Sequence, residues 1–134
     1  MNTAVASTLV QAARRIEARL DRALAAAELS HAKFEALAVL VNEGRPISLS
    51  EVAEKLACVR SNVTQLIDRL EADRLVKRAN DPEDGRGVRV KVTALGRKRH
   101  AAGAPLANAV LQDAASKLSA IDPKKLKRAL DALR

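Results

Sequence analysis

Apolar residues recur at three- and four-residue steps through most of this chain. Val5, Leu9, Ala12, Ala13, Ile16, Leu20, Ala23, Leu24 and Ala27 fall on one stripe, which predicts a helix over 3–27. Its other face holds Arg14, Arg15, Arg19, Asp21 and Arg22. At 1.5 Å per residue this helix is about 37 Å long, and so long an apolar stripe in a small domain asks for a partner surface. Ser30 is placed to cap a second helix over 31–43, with Phe34, Leu37, Ala38, Leu40 and Val41 inward. Gly44 suits a left-handed cap, Pro46 enforces the break, and Ile47 and its neighbours form a short strand. Ser48 and Glu51 have capping-box spacing and open a short helix from Glu51 to about Ala57, burying Val52, Ala53 and Leu56. After a turn at Cys58-Val59-Arg60, Val63, Leu66, Ile67 and Leu70 repeat at i, i+3, i+4 and i+7.

The period then changes to two. Residues 75–79 and 88–92 read as strands, the second with Val88, Val90 and Val92 on one face and Arg89 and Lys91 on the other. Between them Asn80-Asp81-Pro82-Glu83-Asp84-Gly85-Arg86-Gly87 is dense in turn formers, so the pair makes a hairpin with a long tip. Helical spacing returns after Thr93, where Gly103-Ala104-Pro105 is expected to break or kink the segment. Leu106, Val110, Leu111, Ala114, Leu118 and Ile121 continue the stripe. Asp122 and Pro123 open a last helix with Leu126, Ala129, Leu130 and Leu133 on one side and Lys124, Lys125, Lys127 and Arg128 around the rest.

At 134 residues one domain is expected. Phe34 is the sole aromatic residue, so the core is aliphatic and any small-molecule pocket lacks stacking walls. The formal charge is +8, which raises the odds of a polyanionic partner. The excess is concentrated: Arg74 to Arg99 contains nine Lys or Arg and three Asp or Glu. Cys58 is the sole cysteine; its place in the turn suits a small buried hydrophobe better than a redox switch, and a reducing cytoplasm is expected. Met1 to Leu20 lacks an apolar run with a small-residue cleavage site, so no leader is expected, and no window is apolar enough to span a membrane. His31 and His100 are far apart and no ligand spacing appears, so neither a metal nor another cofactor is expected. No phosphate loop, nucleophile elbow or carboxylate pair suggests an enzyme.

Two helices joined by a tight turn and followed by a basic hairpin make a winged helix-turn-helix, whose second helix suits the major groove of double-stranded DNA. With the Val63 stripe inward, the outer face presents Arg60, Ser61, Asn62, Thr64, Gln65, Asp68 and Arg69. Short donors and acceptors of this kind suit base edges and phosphates. A merely solvated face would leave the adjacent basic hairpin unexplained.

The run Ser48 to Gly96 resembles the MarR family of bacterial transcription regulators. The likeness is carried by Val63-Thr64-Gln65-Leu66-Ile67-Asp68-Arg69-Leu70-Glu71, Leu75-Val76-Lys77-Arg78, Asp81-Pro82-Glu83-Asp84-Gly85-Arg86 and Val92-Thr93-Ala94-Leu95-Gly96. It implies a mainly α protein with a small β-hairpin, one domain over 1–134. Within it, 30–99 forms the DNA-binding core, and 1–29 and 100–134 form dimerisation helices. It implies a homodimer on a pseudo-palindromic operator, released in many members by a small-molecule effector. By family position Arg86 enters the minor groove and Asp84 braces the wing. Arg60, Ser61, Asn62, Thr64, Gln65 and Arg69 would meet bases or phosphates, and Lys77, Arg89 and Lys91 phosphates. Arg14, Arg15 or His31 could meet an acidic effector, although solvation is their simpler role. The chain departs from the family at Gly85, where an arginine is usual, at Arg74, where glycine is usual, and at Val59, where a Ser or Thr cap is usual. Two other readings stay open: a non-specific architectural DNA-binding protein, and a protein-interaction module that has lost DNA binding.

Overall fold

The computed structural model describes residues 2–56, 60–80 and 87–133, with the side chains of Arg60 and Ser61 left out. The turn at Cys58-Val59 and the wing tip with Asp84, Gly85 and Arg86 therefore lie outside the described residues. In chain order the elements are α1 (Ala4–Leu24), α2 (His31–Glu43), β1 (Ile47–Ser48), α3 (Leu49–Leu56), α4 (Arg60–Ala72), β2 (Val76–Asn80), β3 (Val88–Val92), α5 (Ala94–Lys117) and α6 (Pro123–Asp131). A 3-10 turn, Ala25–Ala27, finishes the first helix.

Side-chain caps set the helix starts. Ser30 accepts from the Lys33 N–H, Ser48 from the Glu51 N–H, Thr93 from the Gly96 N–H and Asp122 from the Lys124 N–H. Each satisfies one of the donors that a helix start leaves without an intrahelical partner. At the C-termini the chain leaves through left-handed residues. Gly44 does so at φ 68°, and two residues with side chains do so as well, Glu28 at 57° and Arg74 at 63°. At Arg74 the Leu75 N–H reaches the Leu70 carbonyl at 2.9 Å, the closing bond of a Schellman motif.

The sheet has the order β1-β3-β2, antiparallel throughout. Ile47 faces Val90 across one ladder and Val76 faces Val92 across the other. Ile47, Val76, Val90 and Val92 are buried, whereas Val88, nearest the tip, is exposed. The valine alternation thus buries two of its three members, because the hairpin projects beyond the helices. The core joins this sheet face to Leu20, Leu24, Leu37, Leu40, Val52, Val63, Ile67 and Leu70.

α5 departs from the expected break. It runs from Ala94 to Lys117 as one helix with Pro105 inside it. Proline removes one rung and crowds the preceding turn, but packing outweighs that local cost. Gly103 and Ala107 are buried, and a Cβ on Gly103 would already sit 3.1 Å from Leu24 and 3.2 Å from Phe34. Only small residues allow α5 to lie this close to α1 and α2. Phe34 itself stacks on His100 at 5.1 Å between ring centres, and burial holds the His100 imidazole below its usual pKa.

Arg74 provides a direct test of the left-handed exit. An L side chain in that region costs about 1 kcal/mol relative to glycine. Arg74→Gly should therefore raise unfolding stability by roughly 0.5–1 kcal/mol. Urea denaturation measures this, and a loss of stability would show that the arginine side chain holds the turn.

Candidate nucleic-acid interface

α4 is amphipathic by construction. Val63, Ile67 and Leu70 are buried, which turns Asn62, Gln65, Asp68 and Arg69 outward, all of them exposed. Thr64 is half-buried, and its backbone carbonyl accepts from the Arg78 guanidinium at 3.5 Å. Asn62, Gln65 and Arg69 also line a shallow groove of about 270 Å3 against Ala32 at the start of α2. Of the residues expected on this face, Asn62, Gln65 and Arg69 are thus brought together. The side chains of Arg60 and Ser61, with Arg86 and Asp84 of the wing tip, fall outside the described residues.

The C-terminal half of α4 is held from two sides. Lys33 of α2 reaches Asp73 just beyond the helix at 2.7 Å. From β2, Arg78 donates to Asp68 at 2.6 Å and to Glu71 at 3.0 Å, and its backbone N–H donates to the other Glu71 oxygen at 3.0 Å. The Arg78 backbone N–H, and then its guanidinium, hold the Glu71 carboxyl below its usual pKa. The clamp fixes the angle between helix and wing and neutralises two acids beside the face that would meet a polyanion.

Arg78 was not among the expected site residues, and Asp84 was the expected brace. The signal for Arg78 lay in the strand pattern. Val76, Arg78 and Asn80 share the sheet face of Val90, so Arg78 is a cation on the inward side of a strand. Asp68 and Glu71 lie three apart on α4, one helical step along the same face. An inward arginine opposite such a pair is a brace.

The remaining cations separate into two places. Arg89 is half-buried and its Nη1 lies 3.7 Å from Glu51 at the start of α3. Lys77 and Lys91 are exposed and stand opposite each other across the ladder. Their rung is three residues from the Asn80–Val88 rung, or about 10 Å at strand rise. They mark the root of the wing rather than its tip. Of the residues considered for an acidic effector, His31 pairs with Glu35 at 3.2 Å, and Arg14 and Arg15 are exposed on α1. Among the described residues no group of three or more His, Cys, Asp or Glu could hold a metal ion, and no helix is long and apolar enough to cross a membrane.

A three-stranded wing packed on paired helices, with Asn62, Gln65 and Arg69 exposed on the second, defines a winged helix-turn-helix protein. A MarR family model matches residues 28–87. The chain is 28% identical to Bordetella bronchiseptica BpsR, whose structure bears on regulation of DNA binding by 6-hydroxynicotinic acid; TM-score 0.77, with 97% of this chain and 96% of that chain covered. It is 25% identical to the Mycobacterium tuberculosis regulator MosR in complex with DNA; TM-score 0.76, with 96% and 91% covered. Among curated proteins it is 38% identical over 71 residues to the Bacillus subtilis HTH-type transcriptional regulator YfiV, covering 53% of this chain and 44% of the relative. The chain spans about half the length of the curated relatives it matches. Over residues 28–87 it matches the MarR family model, and along nearly its whole length it is similar in fold to winged helix-turn-helix regulators.

The Glu71 clamp has a pH signature. A carboxyl whose folded pKa is depressed contributes stability above its unfolded pKa, and that contribution is lost as pH falls through the depressed value. Arg78→Ala should therefore flatten the stability-versus-pH curve below about pH 4.5 and leave its slope near neutrality unchanged. Urea unfolding across the acid range checks this, and identical slopes in both proteins would remove Arg78 as the source of the depression.

Proposed function

We propose that this protein is a dimeric, sequence-specific DNA-binding transcriptional regulator, a repressor that occupies a pseudo-palindromic operator. The observation that carries this is the outer face of α4. Asn62, Gln65 and Arg69 stand exposed on a helix whose other side is buried and whose C-terminal half is clamped to a basic wing. Asn and Gln read adenine edges in pairs, and Arg reads guanine or holds phosphate. Arg60, Ser61 and Thr64 would complete the helix contacts. Arg86 would reach the minor groove with Asp84 behind it, and Arg89, Lys77 and Lys91 would add phosphate contacts. BpsR and MosR, whose structures concern DNA binding, support the reading by likeness. Repression follows most simply from occupancy, since a bound dimer excludes other proteins from the same duplex.

The dimer is proposed from apolar surface. Val5, Leu9 and Val10 on α1, Leu111 and Leu118 at the far end of α5, and Ile121, Leu130 and Leu133 around α6 are all exposed. α6 has no buried residue, yet between it and α5 lies an apolar groove of about 360 Å3 walled by Leu118, Ile121, Leu126 and Leu130. Patches of this extent mark association sites. A second copy covering both ends would set two α4 helices on one duplex face, about 34–36 Å apart for half-sites one turn apart. A small organic acid is the proposed class of effector. A hollow of about 410 Å3 between α1 and α5, walled by Ala12, Ile16 and Leu118, has Arg15 at its rim.

Two measurements test this reading. Arg86→Ala should weaken operator binding and lower the salt slope of log K by about 0.9, one phosphate contact; an unchanged slope in a gel-shift titration would take Arg86 off the DNA. Sedimentation of Leu118→Glu with Leu130→Glu should give the monomer mass where the parent chain gives twice that mass. If the parent sediments as a monomer, the dimer is wrong.

A further inference from the structure

At the root of the wing, on the side away from the groove beside α4, three cations line one cleft. Arg45 enters it from the turn after α2, Lys91 from β3 and Arg97 from the first turns of α5. Leu40, Pro46 and Val92 form the apolar walls, and the volume is about 300 Å3. None of its lining residues is acidic. Lys77 faces Lys91 across the ladder, so a further cation adjoins one of the three.

The local carboxylates reach only Arg45 among the cleft's cations, and each shares it with a cation outside the cleft. Glu43 pairs at 2.8 Å with Lys55 and only at 3.7 Å with Arg45. Glu51 is divided between Arg45 at 3.5 Å and Arg89 at 3.7 Å. Among the described residues, no carboxylate forms an ion pair with Lys77, Lys91 or Arg97. Like charges directly opposite on a ladder are destabilising, and concentrating two arginines beside them adds to the repulsion. The C-terminus of α2 reaches the cleft at Gly44, but its dipole amounts to about half a negative charge. Glu43 and Glu51 offset part of the Arg45 charge, which leaves Lys77, Lys91 and Arg97 without a carboxylate among the described residues.

We propose that the cleft is a binding site for a phosphate group. Two guanidinium forks match the oxygens of a phosphate in pairs, and a lysine adds a point charge. The apolar walls limit the site to a compact, multiply charged head. It is separate from the outer face of α4. That face meets α2 at Ala32 and the cleft meets α2 at Leu40, eight residues and about 12 Å along the axis. The phosphate could belong to a free small molecule or to the DNA backbone, and the two sources are separable by experiment.

The test uses the full chain and three variants, Arg45→Gln, Arg97→Gln and Lys98→Gln. Lys98 is an exposed cation on α5 outside the cleft, so its variant controls for net charge. In the first arm, calorimetric titration of DNA-free protein with inorganic pyrophosphate should show saturable binding, weakened by roughly tenfold in Arg45→Gln and Arg97→Gln and unchanged in Lys98→Gln. That result assigns the cleft to free phosphate compounds. In the second arm, operator binding is titrated with salt. A slope lower by about 0.9 in Arg97→Gln but not in Lys98→Gln, without pyrophosphate binding, assigns it to a DNA phosphate. Absence of both effects, or equal effects of Lys98→Gln, overturns the proposal. If the parent chain binds no operator at all, the DNA reading fails while the pyrophosphate arm still decides the cleft.

Discussion

The Leu75 carbonyl is the point on which the winged block depends. It accepts from the Thr93 backbone N–H at 3.0 Å and from the Thr93 hydroxyl at 3.1 Å, and the same hydroxyl reaches the Arg74 carbonyl at 2.8 Å. Gly96 lies so close that a Cβ there would overlap the Leu75 oxygen and approach Val92 to 2.7 Å. Three elements therefore end or begin within one cluster: the exit from α4, the start of β2 and the first turn of α5. Leu75 and Val76 are buried around it, so the bonds to the Leu75 carbonyl are partly sheltered while the one to Arg74 is exposed, and loss of the sheltered ones would leave a polar group underpaired.

Arg78 adds the second constraint. A helix that meets a ligand with one face and the core with the other is free to roll unless something fixes its azimuth. Asp68 and Glu71, joined to one guanidinium from β2, supply that constraint at the helix surface, where core packing is weakest. Exposed ion pairs are individually weak. This one gains from sharing an arginine whose side chain is mostly covered and from the backbone N–H that reinforces Glu71. The polar face then has a fixed relation to the hairpin.

Much of this was legible in the order of residues. The caps at Ser30, Ser48 and Asp122 and the left-handed exit at Gly44 follow from local chemistry, and so do the α4 stripe and the alternation in β3, whereas the exit at Arg74 is suggested only by the family resemblance. What was not legible depends on contacts between distant segments. Proline at 105 reads as a break because sequence rules weigh one lost rung, whereas the fold weighs how closely Gly103 and Ala107 let α5 approach α1 and α2. Lys77 and Lys91 read as one cationic hairpin with Arg86, and only the register shows that they stand at its root. The Arg78 clamp required knowing which way β2 faces.

Pro105 has one more effect. Lacking an N–H, it leaves the Ala101 carbonyl without the rung that the rest of the helix would supply. The residues before it pack on Leu75 and Val92 through Gly96 and on α1 and α2 through Gly103. Those after it pack on α1, where Arg19 holds Asp113 at 2.8 Å. The helix that ties these parts together thus gives up one backbone rung at the stretch where Gly103 and Ala107 are packed most closely, so side-chain packing rather than the hydrogen-bond ladder holds it straight there.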